Sequence, residues 1–216
     1  MQVRAIETVY RGYRFRSRLE ARWAVFFDAL GVPFEYEKEG FVLADETKYL
    51  PDFWLPTLKM WFEVKGELTL VEHELTEDSG LFLRQHEKLY SCPELDLMSR
   101  FRNSQPWPVA LSAGQPADHR IWFFGWDMSY SSAGEYEDKD AIWCCSRGQV
   151  TLKVNIASAD REIYSDCLYG DVLKHFTDAR DHGYTLGPID KALRLARQAR
   201  FEHGEKPEVT SWNDRV

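Results

Sequence analysis

Two short aromatic-apolar runs, Tyr49 to Leu55 and Lys59 to Val64, are separated only by Pro56-Thr57-Leu58, and each carries a buried-looking carboxylate, Asp52 in one and Glu63 in the other. The Pro-led connection reads as a turn, so the runs are expected to pair as a hairpin with side chains alternating between its faces. Phe53, Trp54, Leu55, Trp61, Phe62 and Val64 mark both strands as interior. A chain containing such a hairpin has to cover it with other elements. It also has to give Asp52 and Glu63 partners, because a charge buried alone is strongly disfavoured. Glu63 and Lys65 are two residues apart and project to the same strand face.

The covering elements follow from periodicity. From Ser17, the residues Leu19, Trp23, Phe26, Phe27 and Leu30 recur at helical spacing until Gly31-Val32-Pro33, predicting an amphipathic helix over 17–30. Phe34 to Glu37 alternates as a strand. Residues 67–80 are acidic and turn-rich, Leu81 to Tyr90 and Leu95 to Arg102 read as helices, and Pro108 to Leu111 and Ile121 to Trp126 read as strands. The loop-like composition of 127–140 divides an expected core, 1–126, from a C-terminal extension, 127–216. Within the extension, Trp143 to Ser146 and Gln149 to Asn155 predict a small hairpin, followed by helices near 170–181 and 188–203. On the last helix Ala192, Leu195, Ala196 and Ala199 share one face, with Arg194, Arg197 and Arg200 opposite. The pattern predicts an α/β (α+β) class.

Composition narrows the classes of function. At 216 residues and 44% hydrophobic, the chain can bury a sizeable core. No stretch reaches the ~18 apolar residues of a membrane helix, and the N-terminus lacks an apolar signal core, so a soluble cytoplasmic protein with no membrane partner is expected. The four cysteines, two of them adjacent at Cys144 and Cys145, form no disulfide framework. No Cys-x-x-Cys pair accompanies them, and Cys167 and His175 lie far off, so structural zinc is not expected. The net charge of −8 argues against a protein that coats DNA generally. Six arginines nevertheless stand against two glutamates within residues 1–22, and Lys191, Arg194, Arg197 and Arg200 form a second basic stretch. That distribution suits either a phosphate grip confined to one face or ordinary solvated helix surfaces.

The carboxylates carry the chemistry. Asp52 opens one strand and Glu63-Val64-Lys65 closes the next, which places two hard-oxygen ligands beside an ammonium. Such a set can hold a divalent cation and steer a water, the parts that phosphodiester hydrolysis requires. A Pro-Asp followed by acid-any-Lys within some twenty positions arises by chance in roughly one chain in ten of this length. Its setting between aromatic strands is more telling than the motif.

The stretches Phe15-Arg-Ser-Arg-Leu-Glu-Ala-Arg-Trp23, Tyr49-Leu-Pro-Asp-Phe-Trp-Leu55 and Glu63-Val-Lys-Gly66 resemble the PD-(D/E)XK nuclease superfamily, in a subgroup met in phage and bacterial genomes. Ala196-Arg-Gln-Ala-Arg-Phe-Glu-His-Gly204 is similar to that subgroup's C-terminus. The resemblance covers about residues 10–112 and the tail. It implies a restriction-endonuclease-like core with a mixed central sheet flanked by helices, and a metal-dependent DNA endonuclease or exonuclease of a bacterial or phage-infected cell. It further implies that Glu20, Asp52, Glu63 and the Val64 carbonyl hold Mg2+ or Mn2+, while Lys65 orients the attacking water. Arg14, Arg16, Arg18, Gln85, Lys88, Arg194 and Arg197 are the candidate DNA contacts. Oligomeric state is left open, a homodimer included. Plainer readings stand beside these: Ser17-x-x-Glu20 is also a capping box, and Gln85 and Lys88 also suit a solvated helix. A nuclease fold retained as a silent DNA-binding or assembly module, or an acidic DNA-mimic inhibitor, are the alternative functions.

Overall fold

The computed structural model describes residues 6–73, 89–116, 121–124, 140–146, 149–154, 187–201 and 207. The expected helix near 170–181, the loop of 127–139 and most of the helix expected from Leu81 lie outside the described residues.

The chain opens with a hairpin that the arginine-rich composition concealed. Strands β1 (Thr8–Tyr10) and β2 (Tyr13–Phe15) pair antiparallel around Arg11-Gly12. Both turn residues have positive φ, 52° and 86°, the requirement of the two-residue hairpin turn whose twist matches its strands. Helix α1 (Arg18–Leu30) follows. Ser17, with extended backbone, accepts the Glu20 N–H through its side chain at one end. Gly31 adopts the left-handed conformation at the other and donates to the Asp28 carbonyl. These are the N-cap and glycine C-cap signals of the sequence. Ser17→Ala should cost about 1 kcal/mol of stability, seen as a lower denaturant midpoint at unchanged slope.

Three short strands then form, β3 (Glu35–Tyr36), β4 (Phe41–Val42) and β5 (Lys48–Tyr49), before β6 (Phe53–Leu55) and β7 (Met60–Lys65). The expected single strand from Tyr49 to Leu55 is in fact broken. Lys48–Tyr49 pairs with β4 in a separate ribbon, and β6 starts only after Pro51, which has no N–H to offer a ladder. Strands β8 (Val71–His73) and β9 (Leu89–Ser91) pair with each other, so the helix expected to reach Tyr90 gives way to strand at its end, and part of the acidic segment is strand as well. Helix α2 (Pro93–Ser104) precedes β10 (Val109–Ala113) and β11 (Ile121–Phe124). The expected hairpin follows as β12 (Asp140–Ser146) and β13 (Gln149–Val154), and then α3 (Gly187–Gln198).

Seven of these strands form one sheet in the order β13-β12-β11-β10-β7-β6-β3. β7 and β10 run parallel while the other neighbours are antiparallel, so the sheet is mixed. The fold is mixed α+β.

The central strand β7 is buried on both sides, and its residues alternate between two cores. Met60, Phe62 and Val64 join Trp23, Phe26 and Phe27 of α1. Trp61 faces the other way, with Trp54, Met98 and Phe101. Two-sided cover explains why β7 reads as a continuous apolar run. α3 packs on the α1 side through Ile189, Ala192, Leu193 and Ala196, joined by Ala199 just past its end. Leu193, rather than the expected Leu195, fills that core, while Leu195 is partly buried at its margin. The helix stops at Gln198, short of the expected residue 203, with the Ala199 N–H donating back to the Ala196 carbonyl. Among the described residues no helix is long and apolar enough to cross a membrane.

Candidate active site

The register of β6 and β7 locates the site. Phe53 lies opposite Phe62 and Trp54 opposite Trp61, so one step further the same ladder sets Asp52 against Glu63. Side-chain alternation puts both on the face of Trp54 and Trp61, at the end of the sheet where β6 begins and β7 finishes. The break at Pro51 tightens this corner. It turns the Asp52 N–H onto Glu63 Oε2 at 3.2 Å, and the Val64 N–H returns a bond to Asp52 Oδ2 at 2.9 Å. Lys65 Nζ, on the same face as Glu63, donates to Glu63 Oε1 at 2.5 Å.

Both carboxylates are interior, with side chains 4% and 3% exposed. Burial pushes the Asp52 carboxyl well above the usual range, and the charges of Glu63 and Glu20 push it the same way; the Val64 N–H and Lys65 oppose them without prevailing. Burial acts to lower the Lys65 ammonium, but Glu63 and Asp52 outweigh it and hold the group above an ordinary lysine. Tyr49, at the end of β5, is pushed well up by burial and by the charges of Glu63 and Asp52, and its hydroxyl donates to Met98 Sδ at 3.8 Å. The site is thus a corner crowded with negative charge.

Glu20 stands at the edge of this corner, at the start of α1. Its Oε1 accepts the Ser17 hydroxyl at 2.7 Å, while Oε2 accepts the Tyr36 hydroxyl at 2.5 Å and the Arg16 N–H at 3.1 Å. Burial and the neighbouring Glu20 raise the Tyr36 phenol. The Ser17 half of the capping box therefore forms, its side chain accepting the Glu20 N–H, and Glu20 still lies near enough to repel Asp52. Among the described residues, no three His, Cys, Asp or Glu side chains converge as a metal-binding group. Asp52, Glu63, Val64 and Lys65 are brought together; Glu20 is beside them with both oxygens engaged.

The donor set suits magnesium or manganese. Mg2+ is commonly held by one or two carboxylates and keeps several waters, and here two buried carboxylates share one corner in which like-charge repulsion leaves room for added positive charge.

The candidate DNA contacts scatter. Arg14 pairs with Glu7 in the open. Arg16 turns inward, its guanidinium 3.0 Å from Asp52 Oδ1 and 2.7 Å from Glu37 Oε1. Arg18 opens α1. Arg194 and Arg197 are exposed on α3, and Arg197 Nε donates to the Pro116 carbonyl just past the end of β10. Arg22 reaches the Ala199 carbonyl, so the C-terminal end of α3 lies by the N-terminal part of α1. Gln85 and Lys88 lie outside the described residues. Tyr36, Glu37 and Tyr49 are site residues that the sequence pattern did not single out. Tyr49 alone had a signal, three positions before Asp52 in the same aromatic run.

No family model, curated protein or solved structure matches this chain.

Proposed function

We propose that the protein is a metal-dependent deoxyribonuclease with a restriction-endonuclease-like core. The supporting observation is the buried cross-strand pair Asp52 and Glu63, with Lys65 on the same face. Asp52, Glu63 and the Val64 carbonyl would hold Mg2+ or Mn2+, with Glu20 positioned alongside. The ion would polarise the phosphoryl oxygen and stabilise the leaving group. Lys65, tied to Glu63 and still 31% exposed, faces both the acid pair and solvent, where its ammonium can orient a water for in-line attack. The Val64 N–H fixes the Asp52 carboxylate, and the Asp52 N–H and Lys65 fix that of Glu63. The chemistry is DNA phosphodiester hydrolysis, endo- or exonucleolytic.

The test is cleavage of single-stranded, duplex and branched DNA and of RNA, with and without magnesium or manganese, beside Asp52→Ala. Metal-dependent cutting that disappears in the variant is the expected result. A specific observation favours a second reading, a silent DNA-binding module of the same fold: Arg16 already places a positive charge on Asp52. Binding of DNA without cutting on any substrate would decide for it.

The exposed arginines of α3 are the proposed phosphate contacts, at the same end of α1 as Glu20. Arg194→Ala with Arg197→Ala is expected to weaken DNA binding and to lower the slope of log affinity against log salt by about one for each phosphate no longer neutralised. Titrations at several salt concentrations check this, and an unchanged slope would assign these arginines to folding.

A further inference from the structure

The most informative contact outside the acid pair is that of Arg16, which lies between α1 and the strand end. Its guanidinium bridges two acids of unlike setting. Nε approaches Glu37 Oε1 at 2.7 Å, and one terminal nitrogen donates to Asp52 Oδ1 at 3.0 Å. Asp52 Oδ2 is turned inward to the Val64 N–H, so Oδ1 is the oxygen that meets the outside, and Arg16 is on it. The arginine side chain is 55% exposed while that of Asp52 is 4% exposed, so the guanidinium lies on the solvent side of the carboxyl.

The surroundings hold Arg16 in that pose. Its own N–H is bonded to Glu20 Oε2 and to the Tyr36 hydroxyl. Its anchor Glu37 has φ 47°, a left-handed conformation uncommon for a residue with a side chain, and is fastened by its N–H to the Asp52 carbonyl at 2.8 Å. Backbone and side chain of Asp52 are thus tied to the same Glu37–Arg16 unit. A planar fork that spans two carboxylates is what distinguishes arginine from lysine at such a position.

We propose that Arg16 is a resident counter-ion of the Asp52–Glu63 corner, one that a divalent cation must displace from Asp52 Oδ1. Arg16 is therefore a positioning residue. It keeps Asp52 in register in the metal-free protein and sets how tightly the corner takes a metal. Once displaced, its guanidinium stays on the solvent side, held by Glu37, where an anionic substrate would approach. The inference rests on the metal-site reading above, and the experiment separates the two.

The test is calorimetric titration of the full chain with Mn2+, without DNA, for wild type, Arg16→Gln, Arg16→Lys, Glu37→Gln and Asp52→Asn. Removal of the competitor in R16Q is expected to tighten Mn2+ binding by about tenfold, the scale of one charge-assisted contact. The metal-free melting temperature should fall at the same time, and saturating Mn2+ should close the gap. E37Q, which loosens the anchor and leaves Arg16 intact, should tighten binding by about threefold. R16K keeps the charge but cannot span both acids, and should fall between wild type and R16Q. Mn2+ binding that Asp52→Asn abolishes but R16Q and E37Q leave unchanged or weaken would overturn this inference and spare the metal site. R16K equal to wild type would also overturn it, because overall charge would then set the affinity. No Mn2+ binding to any form would sink both readings.

Discussion

Asp52→Asn is expected to raise the melting temperature of the metal-free protein at neutral pH while ending the proposed magnesium-dependent cleavage. The folded protein holds this carboxyl above its ordinary range through burial and the charges of Glu63 and Glu20. A carboxyl with a raised folded pKa contributes stability that is fully present below its unfolded value, about 3.9, and is lost as pH climbs through the folded value. At neutral pH this raised carboxyl is therefore a cost that a neutral amide avoids. The Asn oxygen can keep the bond from the Val64 N–H, and Arg16 can turn to water, which its exposed side chain already meets. A gain of about 1 kcal/mol, or roughly 2–4 °C for a chain of this size, is the expected scale. The difference from wild type should shrink as pH falls toward about 4.

Cleavage should drop by more than about a hundredfold, since changes to groups that merely support metal ligands already cost 10–100-fold. Magnesium should raise the melting temperature of wild type by mass action and leave the variant unmoved. Thermal unfolding across pH, with and without magnesium, checks the stability statements, and a cleavage time course on the same samples checks the loss of turnover. A variant less stable than wild type at neutral pH would mean that the Arg16 contact outweighs the repulsion.

Lys65→Ala should act on stability in the opposite direction. Glu63 and Asp52 hold the ammonium above the ordinary lysine range, so its contribution is present throughout neutral pH and is lost only as pH rises through the raised folded value. Truncation leaves the Glu63 side chain, 3% exposed, without its 2.5 Å partner. Breaking a fully buried pair costs about 3–5 kcal/mol, and the partial exposure of Lys65 reduces this to about 2 kcal/mol, or roughly 4–8 °C. The metal-dependent rise in melting temperature should persist, because both carboxylates remain, while turnover falls by about a hundredfold or more with loss of the group proposed to orient the water. Full activity in this variant would remove Lys65 from the proposed chemistry, and a lost magnesium effect would make it a structural support of the site. Opposite signs for D52N and K65A, in the same corner, separate an excess of negative charge from general damage to the fold.

The features that the sequence alone determined are those with local causes. Ser17, Glu20 and Gly31 delimit α1 through bonds within four residues, and the Trp23-Phe26-Phe27 spacing selects its buried side. The β6–β7 hairpin follows from two apolar runs and a short turn. Once they pair, strict alternation sets Asp52, Glu63 and Lys65 on one face, so the acid-acid-lysine corner was legible before any tertiary contact. Short segments were not legible in this way. The two- and three-residue strands β4, β5, β8 and β9 are too brief to carry a period, and they form because a partner lies across from them. The break at Pro51 was written in the chain, but nothing local required Tyr49 to leave β6 for β4.

The tertiary structure alone decided how the charges are paired. Packing of α1 on one side and of α2 on the other, both distant from the hairpin in sequence, buries its two faces and makes the acids interior rather than half-exposed. An arginine next to a helix cap reads equally well as a phosphate contact or a solvated side chain. Arg16 instead spans Glu37 and Asp52, residues 21 and 36 positions away, because the fold brings both within reach of one guanidinium. Coulombic partners are chosen by distance in space and by the water excluded between them, and neither quantity is written in a linear pattern.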